Sequence, residues 1–371
     1  MKTVEGKYAS ALVYSDSVED YALAQIKLLC DDMSFKGSRI RVMPDVHPGK
    51  VGPVGFTATI TERILPSVVG VDIGCGMSAV KIKEKRVDCT QLDKLVHRRI
   101  PAGSTIRSDM HRFASDFDFA KLECAEHIWL EKAMLGIGTL GGGNHFIEAD
   151  RGGDGSLYVV VHSGSRHLGK EVAEYYLREG QKVLKKQGID VPYEMTYLEG
   201  DLAEKYVRDV AAVQEYASLN RKAMLDEILR GMKWKETERY SCVHNYIDIT
   251  SDVPMIRKGA ISARKGEQVI IPINMRDGII LGKGKGNPEW NCSAPHGAGR
   301  VLKREDVMSR HTVSEFKKAM QGIYCTSIGK DTLDEAPFAY RSIDEIREAI
   351  KDSVDITEVI KPIYSFKAGS A

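Results

Sequence analysis

The chain has 371 residues, of which 43% are hydrophobic and 28% charged, with 53 basic side chains against 52 acidic ones. That length holds one elaborate domain or two ordinary ones, and no apolar run approaches the ~18 residues that a membrane-spanning helix requires. A formal charge of +1 argues against indiscriminate coating of nucleic acid, although a local basic patch would leave that total unchanged.

The first ten residues, MKTVEGKYAS, lack the charged-then-apolar layout of a secretory signal, so a cytoplasmic protein is expected. Ser17 with Asp20 forms a capping pair, in which side chains satisfy the first free amides of a helix, and predicts a helix to about residue 32. Strands are expected at 39–46 (RIRVMPDV), 55–60 (GFTATI) and across 68–83 (VVGVDIGCGMSAVKIK). Thr90 with Asp93 predicts a short helix, and SLYVVVH a strand over 156–162. The proline-free stretch 202–232 predicts the longest helix, stopping at Gly231. Four more strands follow: SCVHNYIDI (241–249), MIRKGAISA (255–263), QVIIPIN (268–274) and GIILGKG (278–284). Thr312 with Glu315 opens a helix that stops at Gly322, Ser342 with Glu345 opens one to about 352, and the strand TEVIKPIYSFKA covers 357–368. Strands and helices mix without βαβ regularity, and there is no internal repeat, low-complexity tract or Pro/Ser linker. The expected fold class is therefore α+β: a single mixed domain over residues 1–371, with β-sheets flanked by helices and the chemistry at strand ends.

The stretch VVGVDIGCGM sets Asp72 and Cys75 among glycines. Alone, the pair reads more readily as a strand-end Asp and a buried small thiol than as metal ligands. Three histidines in similar settings add weight: His145 in GGGNHFIE, His162 ending YVVVH, and His244 in CVHNYID. Small neighbours leave room for an ion, and polar neighbours orient an imidazole. The seven cysteines (Cys30, Cys75, Cys89, Cys124, Cys242, Cys292 and Cys325) are scattered and never paired as CxxC. A disulfide framework or zinc ribbon is not expected, and any functional cysteine acts alone. If the five groups converge, one thiolate, one carboxylate and three neutral imidazoles are balanced by one divalent ion. Two ions leave a positive pocket that attracts phosphate oxygens. The mixed N, O and S donors suit Mn, Zn or Fe alike. Further on, NCSAPHGAGR (291–300) holds His296 between a proline and two glycines, with Arg300 four places on. Glycines there let backbone amides approach an anion, and the imidazole is a base, a ligand or a nucleophile.

In this order, MPDVHPGK, VGVDIGCGM, GGGNHFIE, HSGSR, HNY, KGAISA and SAPHGAGR resemble the RtcB family of RNA-splicing ligases, over nearly the whole chain from about residue 40. The resemblance implies an RtcB-like fold and an enzyme that uses GTP and two Mn²⁺ ions. Its substrates would be RNA ends, a 2′,3′-cyclic phosphate or 3′-phosphate being joined to a 5′-hydroxyl. Carried over by motif, Cys75 bridges the two metals, with Asp72 and His145 on one and His162 and His244 on the other. His296 is the nucleophile that takes GMP from GTP, and Asp45 orients its ring. Asn144, Phe146, Glu148, Asn245, Tyr340 and Lys367, with the backbone of Gly297, Ala298 and Gly299, hold the nucleotide; Arg166, Arg300 and Arg304 hold further phosphates.

The chain departs from the family in two places. The turn after the IIP strand reads IIPINMRDG where common members carry Ser-Met-Gly, so Asn274, Arg276 and Asp277 change its shape and charge. HPGKVGPVG replaces the usual H-x-G-K-G. Both, with a chain shorter than typical members, suggest a divergent branch that acts either in tRNA splicing or in repair of a damaged tRNA or rRNA. A monomer without membrane association is expected, and the need for an activating protein partner is left open. Two other readings stand beside ligation: a dimetal phosphoesterase that opens cyclic phosphates, and a non-catalytic protein that binds RNA ends.

Overall fold

A computed structural model, which describes residues 1–250 and 252–369, builds the chain on two large sheets and a short ribbon. The first sheet runs in the order Lys2–Glu5, Ser10–Val13, Ile40–His47, Val54–Thr59, Met255–Lys258, Asn245–Asp248. The second has seven antiparallel strands in the order Gln268–Asn274, Gly278–Gly284, Val354–Lys367, Phe146–Arg151, Leu157–Ser163, Gly76–Ile82, Glu236–Val243. Its two edge strands come back against each other, so the sheet curls and its inner face closes on an apolar cluster that includes Met77, Phe146, Val160 and Ile270. The ribbon pairs Ala260–Ser262 with Ser293–Pro295. The long helices Arg166–Lys186 and Gly200–Met232 pack on the outside of these layers, their apolar faces joining the core around Val172, Tyr206 and Val213. Among the described residues no helix is long and apolar enough to cross a membrane.

The α+β class and its strand-end loops are as expected, and several local expectations need correction. The helix expected from Ser17 runs Asp20–Cys30, and no side chain caps it. The Thr90 helix is Cys89–Arg99, capped by Asp88, whose carboxylate accepts from the Gln91 amide at 3.0 Å. Asp93 instead turns inward to accept from Thr326 and Tyr364. Thr312 and Glu315 do form a full capping box, on a helix that ends at Ala319, and the Ser342 helix ends at Ala349. The longest helix passes through Gly231 to Met232; a Cβ at Gly231 would strike the Leu95 side chain at 2.5 Å, so this glycine serves close packing and not helix termination.

The expected 68–83 strand begins only at Gly76; Asp72 and Cys75 precede it in a loop. The segments at 241–249 and 255–263 are each two strands, broken at His244 and Gly259. The elements that carry no expectation from the sequence include the strand Phe146–Arg151 and the helix Arg166–Lys186.

One buried side chain holds the loops that reach the site. Asn220, on the long helix, accepts from the amides of Gly138 and Thr139 and donates to Thr139 O, Ser163 Oγ and Gly164 O, all at 2.8–3.2 Å. Its removal strands buried backbone groups, each costing about 1–3 kcal/mol. Asn220→Ala is expected to lower unfolding stability by roughly 2–4 kcal/mol in a denaturant titration; an unchanged midpoint contradicts this role.

Candidate active site

Five of the expected ligands converge. The Cys75 thiol lies 3.4 Å from His145 Nε2 and 3.3 Å from His162 Nε2. His145 Nε2 is 3.2 Å from Asp72 Oδ2, and His162 Nε2 is 3.4 Å from His244 Nε2. The donors fall into two groups, Asp72–Cys75–His145 and Cys75–His162–His244, each with ligand atoms within 4.8 Å of one another and with Cys75 in both.

The surrounding backbone fixes the rings. His145 Nδ1 donates to Leu140 O at 2.9 Å and His162 Nδ1 to Asn144 O at 3.1 Å, so Nε2 of each carries the lone pair that faces the sulfur. Burial pushes His162 and His244 well below the ordinary imidazole range and keeps them neutral. Burial, then the Asp72 charge, pushes the Cys75 thiol up. For Asp72 burial is the largest influence and acts upward too, yet His145, Cys75 and the Arg166 charge together outweigh it and hold the carboxyl below its usual range. A sulfur that ionises only beside a cation, with a carboxylate and neutral imidazoles around it, suits bound metal.

His296 sits beside this cluster, its ring centroid 4.8 Å from that of His244. It follows the short strand Ser293–Pro295, which Arg257 secures from beneath through Ser293 Oγ and Asn291 O. Its Nδ1 is 2.7 Å from Oδ2 of Asp45, a carboxylate with 0% exposure on the strand Ile40–His47. The same oxygen accepts the His296 amide at 3.2 Å. The fit is close: Gly299 has φ +73, and a Cβ there would meet Asp45 O at 2.7 Å.

From His296 a cleft of about 740 Å³, including its open mouth, extends past Asn144, Phe146, Glu148 and Gly297–Gly299 to Tyr340 and Lys367. Asn245, also expected at the nucleotide, does not line it; its amide donates to Asp72 O and accepts from the Gly259 amide. Asn274 and Met275 line the cleft. Asn274 Oδ1 folds back to accept the amides of Arg276 and Asp277, and Arg276 pairs with Asp277 beside it.

The three arginines expected at phosphates differ in freedom. Arg166 lies on the metal side, 3.4 Å from His145 Nδ1, and donates to Gly103 O. Arg300 is committed to Leu302 O, Glu335, Tyr340 and Asp334 O. Arg304 binds Asp334 and Glu335 through Nη1 and keeps 46% of its side chain exposed.

Glu335, which sequence reasoning missed, ties this end of the cleft together. It receives Arg300, Arg304, the Tyr340 hydroxyl and Lys367 Nζ, the last at 2.7 Å. Burial pushes its carboxyl up, but the Lys367 and Arg304 charges bring it down to about 2. No local motif marks it; its signal is an Asp-Glu pair in an otherwise apolar stretch, LDEAPFA. His47 was missed as well, although it stands two places from Asp45 on the same strand and lines the cleft. Glu148 accepts from Ser365 Oγ at 2.9 Å, and burial lifts it to about 7 against the pull of Ser365 and Lys367.

Comparison with known proteins gives one answer. The family described as tRNA-splicing ligase RtcB matches residues 31–368. The chain is 31% identical to the RNA-splicing ligase RtcB of Escherichia coli (strain K12), over 90% of this chain and 91% of that one. It is 25% identical to the tRNA-splicing ligase RtcB of Pyrobaculum aerophilum, over 92% and 90%, and 28% identical to that of Nanoarchaeum equitans, over 91% and 89%.

The shared sulfur makes a prediction about metal binding. Calorimetric titration of metal-free protein with Mn²⁺ is expected to show two binding events. Cys75→Ala removes both, whereas His244→Ala spares the Asp72–His145 half; two intact events in Cys75→Ala contradict the shared arrangement.

Proposed function

Because the chain belongs to the RtcB family of RNA-splicing ligases, we propose that it joins RNA 2′,3′-cyclic phosphate or 3′-phosphate ends to 5′-hydroxyl ends, using GTP and two Mn²⁺ ions, through a guanylate carried on His296. The observation that carries this reading is the Asp45–His296 contact at 2.7 Å, made directly beside the paired donor groups.

Asp72, Cys75 and His145 would hold one cation, and Cys75, His162 and His244 the other. When bound, the pair would polarise phosphate oxygens and offset the charge that develops on them. Asp45 takes the Nδ1 proton as a hydrogen bond, which leaves the Nε2 lone pair of His296 free to attack the α-phosphorus of GTP. Pyrophosphate leaves, and the histidine carries GMP. A 3′-phosphate oxygen of the RNA, released by water across the P–O2′ bond where the end is a cyclic phosphate, then attacks the same phosphorus and frees the imidazole. The activation has a purpose: a phosphate monoester would have to expel oxide, whereas the new anhydride expels GMP when the 5′-hydroxyl attacks. In the cleft, Glu148 would accept the N1 and N2 hydrogens of guanine, which adenine does not offer, while Phe146 and Tyr340, which line the same cleft, would flank the base. Arg304, still partly open, is suited to phosphate.

Incubation with α-labelled GTP and Mn²⁺ is expected to leave an acid-labile label on the protein. Asp45→Ala slows its appearance by roughly 10²–10⁴-fold, because the ring loses the acceptor that selects its tautomer, and His296→Ala abolishes it. Cyclic phosphates hydrolysed by an unlabelled protein contradict the ligase reading and favour a phosphoesterase. A second expectation concerns pH. Glu148 is ionised above about 7, so KM for GTP rises as pH falls through that value, by up to about tenfold per unit. The dependence disappears in Glu148→Gln; a profile that survives this substitution contradicts the role of Glu148 at the base.

A further inference from the structure

His47 lines the cleft with His296, and the chemistry above leaves it idle. Its Nδ1 donates to the backbone carbonyl of Asp45 at 2.9 Å, while His296 Nδ1 meets the carboxylate of the same residue at 2.7 Å. One residue therefore sets the tautomer of two imidazoles, and each is left with its lone pair on Nε2. His47 Nε2 makes no hydrogen bond to the protein among the described residues, and it is not one of the sealed polar atoms.

The proposed reaction contains one step that needs such a group. His296 attacks GTP with a lone pair it already holds, and the RNA 3′-phosphate attacks as an anion. Once a 3′-phosphate end is in place, the sealing nucleophile alone starts as a neutral O–H.

We propose that His47 is the general base of the sealing step, its Nε2 taking the proton of the RNA 5′-hydroxyl as that oxygen attacks the activated 3′ end. The O–H bond breaks and its electron pair becomes the new P–O bond. GMP leaves with the pair of the bond it breaks and needs no proton near neutrality. The proton stays on His47 until solvent removes it.

Three charged or titratable neighbours bear on this imidazole: His296 and Arg300 from the loop opposite, and Asp45 on its own strand. Burial is the main influence and lowers its pKa; His296 and Arg300 act the same way, and the Asp45 carbonyl opposes them. His47 is accordingly unprotonated, and able to act as a base, at neutral pH.

The inference rests on the ligase reading, and a stepwise assay separates the two. The wild type and His47→Gln are compared for labelling of His296 by α-labelled GTP, for guanylylation of a 3′-phosphate RNA, and for sealing of that pre-activated RNA to a 5′-hydroxyl strand. The expected result is labelling and guanylylation within a few-fold of wild type, accumulation of activated RNA, and sealing slowed by roughly 10²–10⁴-fold. The acidic limb of the sealing rate against pH should also vanish. In His47→Ala, added imidazole should restore sealing of pre-activated RNA. Unchanged sealing, a persisting acidic limb or failure of imidazole to rescue the Ala variant overturns the assignment. A wild-type protein that never labels brings down the ligase reading itself, and this inference with it.

Discussion

A carboxylate with no exposed surface is costly unless it is paired, and Asp45 answers that constraint by binding His296 through both ring and backbone amide. This contact joins the three β layers. Asp45 comes from the six-stranded sheet, His296 from the end of the short ribbon, and the neighbouring ligand cluster from the rim of the curled sheet. Strand pairing places His162 between Met77 and Phe146. Cys75 and His145 therefore enter at the starts of the two strands that flank it, and their approach is set by register as well as by loop conformation.

The rest of the cleft is a problem of charge. Arg300, Arg304 and Lys367 bring three cations into a small volume beside His296, and Glu335 with Asp334 offsets two of them. The balance fixes Tyr340 and Lys367 in place at the far end while leaving Arg304 partly open. For the proposed nucleotide, the partly open Arg304 would offer its phosphates a preorganised positive group at little cost in rearrangement. Nearby, Asp150 is buried on the same strand face as Glu148, with neither oxygen hydrogen-bonded. Burial, then the Glu148 charge, pushes its carboxyl up, so one negative charge resides on this pair and Glu148, which has the hydrogen-bonding partner, carries it.

Much of the site was legible because its chemistry demands particular residue types in glycine-rich turns. Asp72, Cys75, His145, His162, His244 and His296 all stood out in this way, and they meet. Glu335 and His47 did not. Glu335 acts through partners 31–35 residues behind it and at the end of the chain, which no local pattern encodes. His47 was hidden by the stronger signal of Asp45 beside it. At the level of the fold, strands with β-branched runs were readable. Phe146–Arg151 was not, because Glu148, Asp150 and Arg151 make it look polar although five of its six positions are buried. The helix Arg166–Lys186 has no side-chain cap, begins on a residue with φ +55 and contains two glycines. Its stability comes from packing against the long helix, a tertiary term that local propensity does not register.

The central claim is that a nucleotide becomes bonded to one imidazole. The most direct measurement is peptide mapping by mass spectrometry of protein treated with GTP and Mn²⁺ and kept at alkaline pH, where a phosphoramidate survives. The account predicts a guanylate mass on the peptide spanning residues 291–300, localised to His296. A guanylate found on a lysine, or no modified peptide under conditions in which RNA is joined, would contradict it.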